Sequence, residues 1–134
     1  MVFTNGCFDI IHRGHVEYLA KARKLGDLLI VGLNGDSSVR KLKGKGRPVI
    51  SQRDRAFILS HLDMVDYVVV FDTLTPKRLI RKMAPDILVK GGDYDPQTIV
   101  GAADVRAFGG KVVTLPYIPG RSSSAIIDSV RSAT

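Results

Sequence analysis

Short apolar runs that alternate with segments of helical period predict an open, doubly wound α/β domain, with a mainly parallel five-stranded sheet and helices on both faces. Two further observations support that class. The runs are rich in β-branched residues and mostly continuous, as strands covered on both faces are. The segments between them have the length and period of the helical crossovers that parallel neighbours need.

The first run, Val2-Phe3-Thr4, precedes a predicted helix from Gly14 to Leu25 that puts Val16, Leu19 and Ala20 on one face and ends at Gly26, a residue suited to the position after a helix. Leu28 to Leu33 is the second strand. A helix from Ser51 to Leu62, with Phe57-Ile58 and His61-Leu62 three to four residues apart, leads to the third strand, Tyr67 to Phe71. The next helix starts at Thr75-Pro76, where Thr is the expected cap and Pro fits the first turn. It turns Leu79, Ile80 and Met83 inward and stops at Pro85. Ile87-Leu88-Val89 and Val112 to Leu115 are the remaining strands. A last helix opens in Ser122-Ser123-Ser124 and is expected to bury Ile126, Ile127 and Val130. With no repeat, low-complexity tract or linker, residues 1–134 read as a single domain. Its first strand begins at residue 2, which suggests that a short N-terminal extension is missing.

A chain of 134 residues, 45% hydrophobic and 25% charged, has the composition of an ordinary globular domain, which excludes disordered, collagen-like and fibrous readings. No window approaches the roughly 18–20 uninterrupted apolar residues of a membrane helix. The N-terminus also lacks the basic and apolar regions of a secretory signal, so a cytoplasmic protein with no membrane partner is expected. Cys7 is the only cysteine, which excludes an internal disulfide and a cysteine-based metal site. Twenty Lys and Arg against 13 Asp and Glu give a formal charge of +7. That charge raises a nucleic-acid-binding module as the rival reading. Against it stand 7% aromatic residues, no Trp and no recognisable binding motif, and small anionic substrates account for the same charge.

In doubly wound sheets ligands sit beyond the carboxyl ends of the strands, which selects the loops Asn5 to His15, Asn34 to Asp36, Lys90 to Tyr94 and Pro116 to Ser124. The first ends in His12-Arg13-Gly14-His15 at a helix start. Unpaired N–H groups there favour phosphate, two imidazoles add donors, and Gly14 permits close approach. Two surface histidines near a turn are the plainer alternative. Five of the eight residues from Arg40 to Arg47 are basic. They form either a solvated loop or, made mobile by Gly44 and Gly46, a loop that closes a lysine over phosphates. Asp36 suits a helix cap as well as a substrate contact. The two glycines after Lys90 allow a tight turn or a backbone approach to a ligand. Ser122 to Ser124 cap a helix and offer hydroxyls and N–H groups to phosphates.

The string Gly6-x-Phe8-Asp9 followed by His12-x-Gly14-His15 resembles the signature of the nucleotidylyltransferase superfamily. Within it the chain is most similar to the heptose 1-phosphate adenylyltransferases. The similarity lies in Thr4-Asn5-Gly6-Cys7-Phe8-Asp9, in Leu42-Lys43-Gly44 with Gly46-Arg47-Pro48, in Val89-Lys90-Gly91-Gly92-Asp93-Tyr94, and in Gly109 to Val113 leading to Pro119-Gly120. The resemblance implies a Rossmann-like fold and transfer of AMP from ATP to a sugar 1-phosphate, foremost D-glycero-D-manno-heptose 1-phosphate, giving ADP-heptose and pyrophosphate. A cytidylyltransferase acting on glycerol 3-phosphate or a similar alcohol phosphate is the alternative. By resemblance, His12, His15 and Lys43 would be catalytic. Thr4, Asn5, Gly6, Cys7, Phe8, Gly14, Lys90, Gly91, Asp93, Arg121, Ser122, Ser123 and Ser124 would hold the nucleotide, and Asp9, Asn34, Asp36 and Lys41 the acceptor. Mg²⁺ would come bound to the substrate phosphates with no protein metal site, and a homo-oligomer is implied. Arg121 and the preceding Tyr117-Ile118-Pro119-Gly120 depart from the cytidylyltransferase form of the last motif.

Overall fold

Strands and helices alternate along residues 1–92, 95, 97–116 and 122–133, which the computed structural model describes. Strand β1 (Val2–Gly6) is followed by helix α1 (Arg13–Arg23), β2 (Leu29–Asn34), α2 (Asp36–Lys43), α3 (Gln52–Ser60) and β3 (Tyr67–Phe71). After these come α4 (Lys77–Met83), β4 (Ile87–Gly91), α5 (Ala102–Ala107), β5 (Lys111–Leu115) and α6 (Ser123–Ala133). The five strands lie in the order β3-β2-β1-β4-β5 and every pairing is parallel. This is the predicted doubly wound, Rossmann-like sheet.

Successive strand residues point to opposite faces, and the core divides accordingly. Val2, Leu29, Val31 and Val89 pack with Leu19 and Ala22 of α1 and Leu59 of α3. Phe3, Ile30 and Leu88 pack on the other side with Ile80 of α4 and Ala102 and Val105 of α5. The chain therefore winds one way from β1 and the other way from β4. Where the winding reverses, the sheet opens. β1 and β4 are in register only at Val2 with Ile87 and Phe3 with Leu88, whereas the other neighbours pair over five residues. Beyond that point the Thr4 hydroxyl bridges the gap, donating to the Val89 carbonyl at 2.9 Å and lying 2.6 Å from the Tyr18 hydroxyl.

Several local expectations are corrected. Helix α1 ends at Arg23 with Lys24 as its cap, so Gly26 does not terminate it. Gly26 is needed for another reason, since a Cβ there would lie 2.8 Å from Val2 Cγ2. The basic stretch predicted as a mobile loop is helical through Lys43, as α2. The short α5 has no side-chain cap and follows Gly101 at φ 86, so it lacked a sequence signal. In α3, Phe57 is 65% exposed and the inward residues are Arg55 and Leu59. Thr75 does not cap α4, whose N-cap position is Pro76 without a side-chain hydrogen bond. Helix α6 has no buried residue and Val130 is 61% exposed.

Candidate active site

Two histidines build the start of α1. His12 is the N-cap, and its Nδ1 accepts from the Gly14 backbone N–H at 3.1 Å. The His12 backbone N–H in turn donates to Nδ1 of His15 at 3.3 Å. This is the reciprocal capping box that Ser and Glu usually form, made here from imidazoles stacked with centroids 3.9 Å apart. Because each Nδ1 accepts a backbone N–H, each neutral ring carries its proton on Nε2. Burial, and then the charge of His12, lower the pKa of His15 from 6.5 to about 4. At neutral pH His15 is thus an uncharged donor. Phe8 packs beside it with ring centroids 5.1 Å apart and holds φ 47, a left-handed conformation costly for a bulky residue. A Cβ on Gly6 would come within 2.9 Å of the Phe8 ring, which fixes glycine there.

The first loop is clamped from outside. Asp9, 0% exposed, accepts from Arg47 Nε at 2.7 Å and from the backbone N–H groups of Val49 and Ile50 at 2.9 Å. Burial pushes its carboxyl up, but the Ile50 and Val49 amides and the Arg47 guanidinium outweigh it and hold the pKa below the usual value. Asp9 was expected to contact the acceptor. In the structure it lines the cavity while its oxygens fasten the 44–50 segment to the β1 loop. Arg47 also lies 3.5 Å from Ser124 Oγ through Nη1.

Arg55 performs the same service one strand over. Fully buried, it donates through Nη1 to the carbonyls of Cys7 and Asn34 at 2.7 Å, through Nε to Ile50 at 2.8 Å, and through Nη2 to Asp36 Oδ1 at 2.8 Å. It fixes the carboxyl ends of β1 and β2 relative to each other. Asp36 is the first residue of α2, after the N-cap Gly35. Its Oδ1 also accepts from Gln52 N at 2.8 Å, and its own N–H donates to Gln52 Oε1 at 2.8 Å.

At the other side of the first loop, α6 docks by its first turn. Ser123 Oγ donates to the Ile10 carbonyl at 2.9 Å and accepts from Ile10 N at 3.3 Å, while Ser122 Oγ accepts from Ala125 N at 3.0 Å. The beginnings of α1 and α6 therefore open into one cavity of about 870 Å³. Its lining brings together most of the expected residues: Asn5, Gly6, Cys7, Phe8 and Asp9 from the first loop, His12, Gly14 and His15 from α1, and Asn34, Lys43, Lys90, Gly91 and Ser122 to Ser124. Burial, and also the charge of Lys43, hold the Lys90 ammonium below the usual lysine range.

Three expected positions lie outside the cavity lining. Thr4 is buried beneath it as the β1–β4 bridge, Asp36 is held by Arg55 and Gln52, and the exposed Lys41 points from α2 outside the lining. Asp93 and Arg121 lie outside the described residues. Sequence reasoning named Arg47 only within the basic run and its motif, and it missed Arg55 and two stretches of wall, Leu74 to Pro76 and Thr98 to Val100. For Arg55 a signal existed: it stands four residues before buried Leu59, on the inward face of α3. The two wall stretches follow β3 and β4 but carry no charged side chain to draw attention.

Among the described residues no group of three or more His, Cys, Asp or Glu is placed to hold a metal ion. The carboxylates of Asp9 and Asp36 are each paired with an arginine. No helix among these residues is long and apolar enough to cross a membrane.

A family model described as cytidylyltransferase-like matches residues 3–129. The bifunctional protein HldE of Syntrophotalea carbinolica is 57% identical over 97% of this chain, and that of Geotalea uraniireducens 54% identical over its whole length. These matches cover 26% and 27% of the two relatives, so the chain spans about a quarter of their length. Among solved structures, the lipopolysaccharide core biosynthesis protein of Thermoplasma volcanium superposes with a TM-score of 0.72 at 29% identity, over 87% of this chain and 94% of that one. Pantothenate synthetase from Thermus thermophilus shares the fold alone, with a TM-score of 0.57 at 19% identity over 87% of this chain and 56% of that one.

Proposed function

We propose that this chain, which belongs to the cytidylyltransferase-like family, transfers AMP from ATP to a sugar 1-phosphate, releasing pyrophosphate, with D-glycero-D-manno-heptose 1-phosphate as the acceptor and ADP-heptose as the product. The observation that carries the reading is the convergence of the imidazole capping box and the serine-lined start of α6 on one cavity. Likeness to the HldE proteins supports the adenylyl and heptose parts.

Such a transfer asks a protein for positioning and charge stabilisation. An acceptor phosphate oxygen attacks the α-phosphorus, the bond from that phosphorus to the bridging oxygen breaks, and pyrophosphate leaves with the electron pair. The acceptor oxygen is already ionised at neutral pH, so no base is required. His12 and His15 present Nε2–H to the α-phosphate and the bridging oxygen as charge grows there. Lys43 offsets charge on the non-bridging oxygens, and the α6 start with Arg47 receives the pyrophosphate. Asn5, Gly6, Cys7, Phe8, Gly14, Lys90 and Gly91 line the nucleotide's side. Asp93 and Arg121 remain part of the proposed nucleotide site by resemblance. Mg²⁺ enters as the counter-ion carried by the ATP phosphates, a mode that needs no carboxylate cage, and the described residues form none. A soluble homo-oligomer in the cytoplasm completes the reading.

The test is pyrophosphate release from ATP and from CTP across a panel of sugar 1-phosphates and glycerol 3-phosphate. Turnover with ATP and a heptose 1-phosphate well above every other pair is expected. Preference for CTP with glycerol 3-phosphate would replace the assignment by the cytidylyl alternative.

A further inference from the structure

Lys90 has a particular place in the sheet. β1 and β4 are in register only as far as Phe3 with Leu88, and the Thr4 hydroxyl spans the next step by donating to the Val89 carbonyl. Lys90 comes one residue later. It pairs with Thr114 on the β5 side and borders the open gap on the β1 side. Side chains alternate along a strand, and Leu88 packs with Ile80 of α4 and Val105 of α5, whereas Val89 packs with Leu19 of α1. Lys90 therefore belongs to the α4–α5 face. The imidazoles of His12 and His15 begin α1, which packs on the opposite face. A group held in the gap is met by imidazoles from one face of the sheet and by an ammonium from the other.

A second lysine completes the arrangement. Lys43 closes α2, which follows β2, and β1 with its histidine loop lies between β2 and β4. Lys43 and Lys90 thus flank that loop and line the same half-buried space. They are also near enough to repel, since the charge of Lys43, after burial, lowers the Lys90 ammonium. A neutral base gives such a cation no compensation, whereas a phosphate between the two lysines favours the charged form of both. Among the described lining residues Asp9 is the one carboxylate, and it is bonded to Arg47.

The reacting phosphate has the shape this pair requires. In an in-line displacement the attacking and leaving oxygens lie on one axis, and the two non-bridging oxygens of the α-phosphate project to its sides. We infer that Lys90 is a catalytic residue, whose ammonium binds one non-bridging oxygen of the α-phosphate while Lys43 binds the other. The inference rests on the transferase reading, and it moves Lys90 from the lining of the nucleotide's side to the atoms that react.

The experiment compares Lys90→Met with the wild type in turnover, in calorimetric binding of ATP and of adenosine, and in the preference between the Sp and Rp isomers of ATPαS. In each isomer sulfur replaces a different non-bridging oxygen. Met keeps an unbranched side chain and drops the charge. Turnover is expected to fall about 10²–10³-fold, as loss of one transition-state contact produces. ATP binding should weaken, adenosine binding should match wild type, and the isomer preference should change because one oxygen has lost its partner. Equal weakening of ATP and adenosine would place Lys90 at the nucleoside and overturn the inference, as would an unchanged isomer preference or unchanged turnover. If Lys90→Met does not fold, Lys90→Gln is judged by the same criteria. If the wild type uses CTP and not ATP, the transferase reading fails on the base, and cytidine, CTP and CTPαS decide the role of Lys90 in the same way. If neither nucleotide is turned over, the reading fails altogether, and equal weakening of triphosphate and nucleoside binding overturns the phosphate contact by itself.

Discussion

His15 does two jobs with its two nitrogens, and they are separable. Nδ1 closes the capping box, and Nε2–H is the donor proposed for the reacting phosphate. Gln is a usual partner at this position of a capping box, so His15→Gln keeps an acceptor for the His12 N–H and replaces the fixed imidazole donor by a more flexible, differently placed amide N–H. Its turnover is expected to fall by about 10²–10³, the cost of one transition-state donor, with thermal stability close to wild type. His12→Ala is expected to lose similar activity and about 1 kcal/mol of stability, because it also deletes the N-cap. Near-normal turnover in both would remove the imidazoles from the mechanism. The pH dependence follows from the same burial. An unfolded histidine titrates near 6.5 and folded His15 near 4, so between these values the unfolded chain binds more protons. Stability is therefore full above about pH 6.5 and falls as pH drops toward 4, by at most roughly 3 kcal/mol from this group. Chemical denaturation at pH 7, 5.5 and 4 should show that slope in the wild type, and a shallower one in His15→Gln.

Three donors of the strap between α2 and α3 meet on the Asp9 carboxylate, beside the single bonds from Arg55 to the Ile50 carbonyl and from Arg47 to Ser124. Asp9→Asn leaves Arg47 without its anionic partner and turns an amide toward donors, a change that costs about 3–5 kcal/mol in a buried pair. Trypsin should cut this variant after Lys45 far faster than wild type, and equal rates would show that the strap is held by other contacts. The same contrast explains what the sequence disclosed. Continuous β-branched runs mark all five strands, and a chemical signature marks His12, Gly14 and His15. Asp9 was visible as a residue of the turn, but its partners lie 38 to 41 positions away, a distance that periodicity does not register. Helix α2 was concealed because five basic residues with two glycines look like a mobile loop, although its packing rests on Val39 and Ser38, both fully buried. The walls Leu74 to Pro76 and Thr98 to Val100 became site residues only when parallel crossovers set their loops at the same edge.

Across the whole molecule the cavity joins parts that have little else in common. Helix α6 buries none of its residues and is held at its first turn by Ser123 on Ile10 and by the approach of Arg47 to Ser124. A helix with so few apolar contacts opens at low free energy, and its start is where the polyphosphate is proposed to sit. Bound ATP should therefore stabilise it out of proportion to the rest. Binding at a hundredfold excess over Kd adds about 2.7 kcal/mol to global stability, whereas local opening of α6 is suppressed by every contact the phosphates make with it. Hydrogen exchange with and without ATP is expected to slow most at the amides of Ala125 to Asp128 and at the start of α1, and little in β3 or α5. Ser123→Ala should speed exchange in α6 without ATP and raise the Kd for ATP. Should ATP bind while exchange in α6 stays unchanged, the polyphosphate lies elsewhere, and the convergence of the two helix beginnings serves the fold rather than the reaction.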